Sequence, residues 1–405
     1  MKIAMFTDSY YPRINGVTVS VHSFAEELSK LGHQVSIVCL EYTEEQQKST
    51  FFDENADEVL PFSVIRIPST RLAFSKEDRA ARIDKWLFVK HAMDKFKPDI
   101  IHINSEWLVG YYGAIYSRHR HIPFVFTFHT LWEEYLENYL PHFPRIGTRK
   151  IGREVVRFYL KRANLIIAPT KRIAEVVKDY GIDREVHILP TGIPSSKLAF
   201  SEKQYNIIRD FLYRKFPVLR DSRILLFVGR IVKEKNPDFL FDVLKKVRER
   251  VSNTVLLFVG GGPYLEELRK KSQDAGLVDS VFFTGYIDGS KLIYFYKVAD
   301  VFTFPSKTET QGLVTIEAML AGLPVVAIGE MGTLDVMQGD HGCFMVGDEI
   351  GEFSDHVVRL LEDETLRKEK SAEAEEWASK WKISNLTPKL AECYEKAAAN
   401  YKNRD

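Results

Sequence analysis

Glu309 and Glu317 are two carboxylates on either side of a glycine, Gly312, in a 405-residue chain. Behind that glycine Leu313, Ile316, Met319 and Leu320 recur at helical spacing, and the apolar run 301–304 before it reads as a buried strand. Strand, loop and helix therefore meet near Gly312, where the missing side chain lets backbone N–H groups approach a ligand and the helix end favours negative charge. That junction predicts a phosphate site. Glu309 falls in the loop ahead of the helix and Glu317 over a turn inside it, so the two flank the phosphate from opposite sides. The spacing suits an elongated ligand with hydroxyls at both ends and an anion between them, such as a nucleotide sugar. It suits a retaining glycosidase poorly, because that chemistry needs two carboxylates about 5 Å apart around one bond.

Further candidates stand where apolar runs end. Arg230 and Lys235 follow the run 223–228, and Asn236-Pro237 opens the next helix as cap and first residue; two cations at a strand end can neutralise a diphosphate. His129 closes the run 124–128, at the strand end where ligands bind in open α/β sheets. Asn15-Gly16 marks a turn just where the helix 17–31 begins, without a G-x-G-x-x-G fingerprint. Gly260-Gly261-Gly262-Pro263 reads as a tight turn between strand and helix, and the run 281–287 as another buried strand. After His129 comes an aromatic-rich segment, 131–144, whose Trp132, Tyr135 and Tyr139 form a candidate acceptor wall. Residues 145–162 carry seven basic side chains against one acid, Glu154, a local net charge of +6. On a helical wheel Arg149, Lys150, Arg153, Arg157 and Lys161 share one face, and Ile151, Val155, Phe158 and Tyr159 the other. Such a helix either covers its own sheet or docks on anionic lipid headgroups.

The elements that position these residues repeat as strand and helix. Strands are expected at 2–7, 34–40, 64–67, 100–103, 124–128, 165–168 and 186–189, and again from 223 onward, with helical patterns between them: two parallel sheets covered on both faces. The length fits two such domains, 1–190 and 191–380, with turn residues at 189–194 as the hinge and an amphipathic piece within 381–405. Residues 40–62 are polar and patternless. Lys plus Arg and Asp plus Glu number 56 each, which gives no bulk attraction for nucleic acid. Cys39, Cys343 and Cys393 lack the spacing of a zinc site or a disulfide framework, so a reducing compartment is expected. The start of the chain reads as a first strand and not as a secretory signal. No apolar run nears the ~18 residues that would span a bilayer, so any membrane contact is expected at the surface.

Taken together, Asn15-Gly16, His129-Thr130, Gly229-Arg230 to Lys235, Gly260-Gly261-Gly262-Pro263-Tyr264 and Glu309 to Glu317 resemble the motifs of glycosyltransferase family 4, in order along nearly the whole chain. The stretches 6–17, His129-Thr130-x-x-Glu133-x-Tyr135 and Thr308-Glu309-Thr310-Gln311-Gly312-Leu313 look most like bacterial diacylglycerol glucosyltransferases. The resemblance implies a GT-B fold, α/β with two Rossmann-like doubly wound parallel-sheet domains facing a cleft, and retaining transfer of a hexose, glucose by the closer likeness, from a UDP-sugar to a lipid such as diacylglycerol, or alternatively to a soluble sugar, a polysaccharide or phosphatidylinositol. It implies donor contacts at Gly16, Gly229, Arg230, Lys235, Gly285, Tyr286, Glu309, Gln311, Gly312, Leu313 and Glu317, with His129, Glu309, Arg230 and Lys235 at the reacting centre. A silent nucleotide-sugar-binding protein would need neither His129 nor Glu309. The chain has no D-x-D triplet, so no metal cofactor is expected. The partners expected are a nucleotide-sugar donor, a lipid acceptor and the anionic inner face of the cell membrane. Lys307 departs from the family pattern, where small or polar residues are usual.

Overall fold

The computed structural model describes residues 1–13, 15–43, 60–71, 79–129, 145–309, 311–330 and 332–402, with the backbone alone at 145–149. The chain forms two compact units, Met1–Gly192 with Ile383–Asp405, and Ile193–Lys382. The candidates Thr130, Trp132, Tyr135 and Tyr139, the side chain of Arg149, and most of the patternless stretch 40–62 lie outside the described residues.

In the first unit, strands β1 (Lys2–Phe6), β2 (Gln34–Leu40) and β3 (Ser63–Ile67) precede a short hairpin of β4 (Ser69–Arg71) and β5 (Arg79–Ala81). Then come β6 (Ile100–Ile103), β7 (Phe124–Thr127), β8 (Leu165–Ala168) and β9 (Val186–Ile188). Seven of these make one parallel sheet in the order β3-β2-β1-β6-β7-β8-β9. Successive side chains leave a strand on opposite faces, and here both faces are core: Ala4, Phe6, Ile101 and Phe126 pack into one cluster, Ile3, Met5, Ile100 and Val125 into the other. That is why the strands read as unbroken apolar runs. The helix Ile383–Lys402 belongs to this unit and buries Leu386, Leu390, Tyr394 and Ala397 in the second cluster. Its Tyr394 hydroxyl lies 2.8 Å from Nδ1 of His102 in β6.

The second unit holds β10 (Arg223–Val228), β11 (Thr254–Val259), β12 (Val281–Phe283), β13 (Val301–Phe304), β14 (Val325–Ile328) and β15 (Cys343–Val346), in the parallel order β12-β11-β10-β13-β14-β15. In both sheets the strand order reverses beside the first strand, between β1 and β6 and between β10 and β13. Ligands of open α/β sheets bind outside the strand ends at such a reversal. A single buried cluster spans the unit, from Leu225 and Phe227 through Phe302 and Phe304 to Val357.

The glycines after β11 are more than a tight turn. A Cβ on Gly260 would stand 1.9 Å from the carbonyl oxygen of Gly229, and one on Gly262 would stand 2.3 Å from that of Ile231. Backbone thus lies directly on backbone. Gly260→Ala should cost roughly 1–3 kcal/mol through forced displacement of the neighbouring loop. Denaturant melts of the folded variant check this, and an unchanged midpoint would show that the two loops part without cost.

Candidate functional site

In the second unit the loops beyond β10 and β13 bring Lys235 and Glu309 together: Nζ and Oε1 are 2.5 Å apart, both side chains less than a fifth exposed. The loops are also tied through backbone. Gly229 N–H donates to Val259 at 3.0 Å, Ile231 N–H to Gly261 at 2.9 Å and Gly260 N–H to Gly285 at 3.0 Å, so the ends of β10, β11 and β12 form one continuous glycine ledge. Gly285 sits at φ 79°, with Tyr286 exposed beside it. Thr308 Oγ1 donates to the Glu234 carbonyl at 3.4 Å, and the Glu309 carbonyl accepts from Gly332 N–H at 2.8 Å. Arg230 is different. Its side chain is 68% exposed and lies 3.8 Å from Glu234, exposed enough to swing onto a ligand. Lys307, the departure from the family pattern, pairs with Asp348 and lies 3.9 Å from Glu330.

Gly312 takes φ 70° as the cap of the helix Leu313–Leu320, a left-handed conformation that glycine adopts at little cost. Thr315 and Ile316 donate to its carbonyl, which leaves the N–H groups of Leu313 and Val314 outside the helical ladder at its positive end. Gln311 is buried beside it. Glu317 is 4% exposed. Its Oε1 meets Lys197 Nζ at 2.5 Å and its Oε2 accepts from the Tyr296 hydroxyl at 3.1 Å. Lys197 and Tyr296 carry no sequence motif, and Lys197 lies 120 residues from its partner. A carboxylate has about four acceptor positions, so these two donors fix its orientation and leave capacity for ligand hydroxyls.

In the first unit Gly16 is exposed at the first position of the helix Gly16–Lys30, behind Asn15, whose Oδ1 accepts from Thr18 N–H at 2.9 Å. Asp8, just past β1, accepts from Ser105 Oγ at 2.6 Å and from Val109 N–H at 3.1 Å, at the start of the helix Leu108–Arg120. Burial pushes its pKa up to about 6. Asn104, at the end of β6, donates its amide to the His102 carbonyl at 3.4 Å, which turns its Oδ1 toward His129 Nε2, 3.2 Å away. An amide oxygen only accepts, so the network assigns the His129 proton to Nε2 and leaves Nδ1 as an acceptor.

The helix Arg145–Arg162 has the bounds the sequence predicts but a different facing. Gly152, Val156, Tyr159 and Leu160 point inward, whereas Ile151 is 66% and Val155 41% exposed. The wheel's two faces are thereby mixed. Lys150 is exposed, but Arg153 donates to the Asp179 carbonyl and stacks 5.0 Å over Tyr180, and Arg157 pairs with Glu154 at 2.8 Å. Among the described residues no helix is long and apolar enough to cross a membrane.

Residues 14–197 match the family described as Glycosyltransferase Family 4, and residues 209–377 the one described as Glycosyl transferases group 1. The alpha-monoglucosyldiacylglycerol synthase of Streptococcus pneumoniae is 31% identical over 329 residues, 81% of this chain and 71% of that protein. The chain belongs to glycosyltransferase family 4. A second relative, the alpha-monoglucosyldiacylglycerol synthase of Acholeplasma laidlawii, is 29% identical over 90% of this chain and 89% of its own. The fold of this family 4 glycosyltransferase is GT-B, shared with HepE of Anabaena, solved in complex with UDP, at TM-score 0.75 and 18% identity over 97% of this chain and 99% of the other.

Desolvation of the His129 ring lowers its pKa to about 4, against an ordinary value near 6.5. The imidazole of this family 4 glycosyltransferase is therefore neutral above about pH 5. Nitrogen NMR of the labelled imidazole should show the Nε2–H tautomer and no titration from about pH 8 down to about pH 5. A midpoint near 6.5 would contradict the assignment.

Proposed function

We propose that this glycosyltransferase moves glucose from UDP-glucose to the free hydroxyl of a diacylglycerol, with retention at the anomeric carbon, on the cytoplasmic face of the membrane. The observation that carries the reading is the Lys235–Glu309 pair at the reversal point of the second sheet, beside the helix start at Gly312. It supplies a cation and backbone donors for a diphosphate and a carboxylate for sugar hydroxyls, in one place. The glucose and the diacylglycerol acceptor are read from the two synthases named for glucosyldiacylglycerol, and the UDP from the resemblance of the motifs to those of family 4.

In the reaction the bond from the anomeric carbon to the diphosphate oxygen breaks, and one from that carbon to the acceptor oxygen forms on the same face. The acceptor's proton passes to the departing diphosphate, which becomes basic as it gains charge. Lys235, Arg230 and the N–H groups of Leu313 and Val314 meet that growing charge, the term that lowers the barrier most. These groups take the place of a divalent metal. Glu309 orients the sugar hydroxyls and Glu317 the ribose. His129, an acceptor at Nδ1, receives a hydrogen bond from the sugar. Gly16 opens the first loop to the diphosphate, and Gly285 and Tyr286 border the base.

Lys235→Ala should lower turnover about a hundredfold or more, roughly 3 kcal/mol of transition-state stabilisation, in an assay of UDP release with UDP-glucose and dioleoylglycerol. Chelation by EDTA should leave the wild-type rate unchanged. A loss below about threefold in the folded variant, or a rate abolished by EDTA and restored by magnesium, would sink the metal-free scheme.

A further inference from the structure

Between the helices Leu108–Arg120 and Arg145–Arg162 the first unit holds a cavity of about 900 Å³. Its floor is buried: Glu106 is 4% and Tyr159 2% exposed, and the Tyr159 hydroxyl donates to the backbone carbonyls of Glu106 and Trp107, each at 3.1 Å. Its rim is apolar and open to water, with Trp107 49%, Tyr111 43%, Ile151 66% and Val155 41% exposed. Ile151 and Val155 are one helical turn apart, which sets them along a single wall. Large apolar side chains gathered around a concave site mark a surface that something apolar covers.

The position of the floor says more. Glu106 lies two residues beyond Asn104, the residue that holds His129, so the closed end of the cavity abuts the catalytic edge of the sheet. A carboxylate at the closed end accepts from a hydroxyl, and the walls leading outward suit a hydrocarbon. A soluble sugar would meet too few polar partners along them. The mouth is lined by Lys150 and Glu154, on a helix whose local net charge of +6 is the sign that attracts the anionic surface from which a lipid would be drawn.

We infer that this cavity seats the acceptor lipid, with Glu106 receiving the hydroxyl to be glycosylated and an acyl chain running out between the two helices. The inference rests on the lipid-acceptor reading above and adds the site to it. A second protein's helix, or residues 130–144 of this chain, are the rival occupants.

The test uses the full chain with diacylglycerol brominated in its acyl chains, presented in detergent micelles. Bromine should quench Trp107 fluorescence, and the quenched component should vanish in Trp107→Phe. Tyr111→Asp and Val155→Glu, on opposite walls and both at exposed positions, should each raise the half-saturating lipid concentration at least about tenfold, since a charge is costly in an apolar seat. Their affinity for UDP-glucose by calorimetry should stay the same. Ile83→Glu, 81% exposed and not part of the lining, is the control for general membrane contact and should keep wild-type kinetics. Glu106→Gln should lower turnover with lipid while quenching persists. Lipid turnover without quenching, or wall variants with an unchanged lipid dependence, would overturn the site and point to a rival occupant. Absence of any turnover with lipid in the wild type, alongside transfer to a soluble sugar, would overturn the acceptor reading together with the site.

Discussion

Two loops lie backbone on backbone at the end of the second sheet, and the candidate donor site depends on that contact. Gly260 and Gly262 have no room for a Cβ because the carbonyls of Gly229 and Ile231 occupy the space. The close approach lets Ile231 N–H reach Gly261 at 2.9 Å and Tyr264 N–H reach Ile231 at 3.2 Å. These bonds hold the segment from Gly229 to Lys235 over the end of β10. Because β13 is the parallel neighbour of β10, the loop that follows it delivers Glu309 to the same place. Side chains supply the chemistry, but the absence of side chains sets its geometry.

Charge at the site is balanced before any ligand arrives. Lys235 is paired with Glu309, Lys197 with Glu317, and Lys307 with Asp348. At a partly exposed position such pairs add little net stability, because desolvation and ordering offset most of the attraction. Their use is in holding each group in position. In the proposed reaction a diphosphate would compete with Glu309 for Lys235, and its arrival would leave the carboxylate able to take sugar hydroxyls.

Much of this was legible in the chain. Strands β2, β6, β8, β10 and β13 have the bounds that their apolar runs predict, since burial on both faces makes most of each run apolar. The hairpin at 69–71 and 79–81 was not legible, because Ser69-Thr70-Arg71 and Arg79-Ala80-Ala81 show no alternation of apolar and polar. The helix at 145–162 was legible in extent but not in facing: Arg153 turns toward Tyr180 on a neighbouring element, which a wheel drawn on one helix does not contain. Lys197 and Tyr296 were invisible for the same reason. Glu317 as a candidate could be read from its spacing to Gly312, whereas its partners come from distant segments that only the fold brings near.

If Lys235 is shared between Glu309 and the donor diphosphate, calorimetry of UDP binding to Glu309→Gln shows it. UDP has the diphosphate but no sugar. Removing the carboxylate's charge frees Lys235, so the variant should bind UDP severalfold more tightly than the wild type, about 1 kcal/mol, with the difference shrinking as salt is added. Equal or weaker binding by the folded variant would contradict the shared lysine.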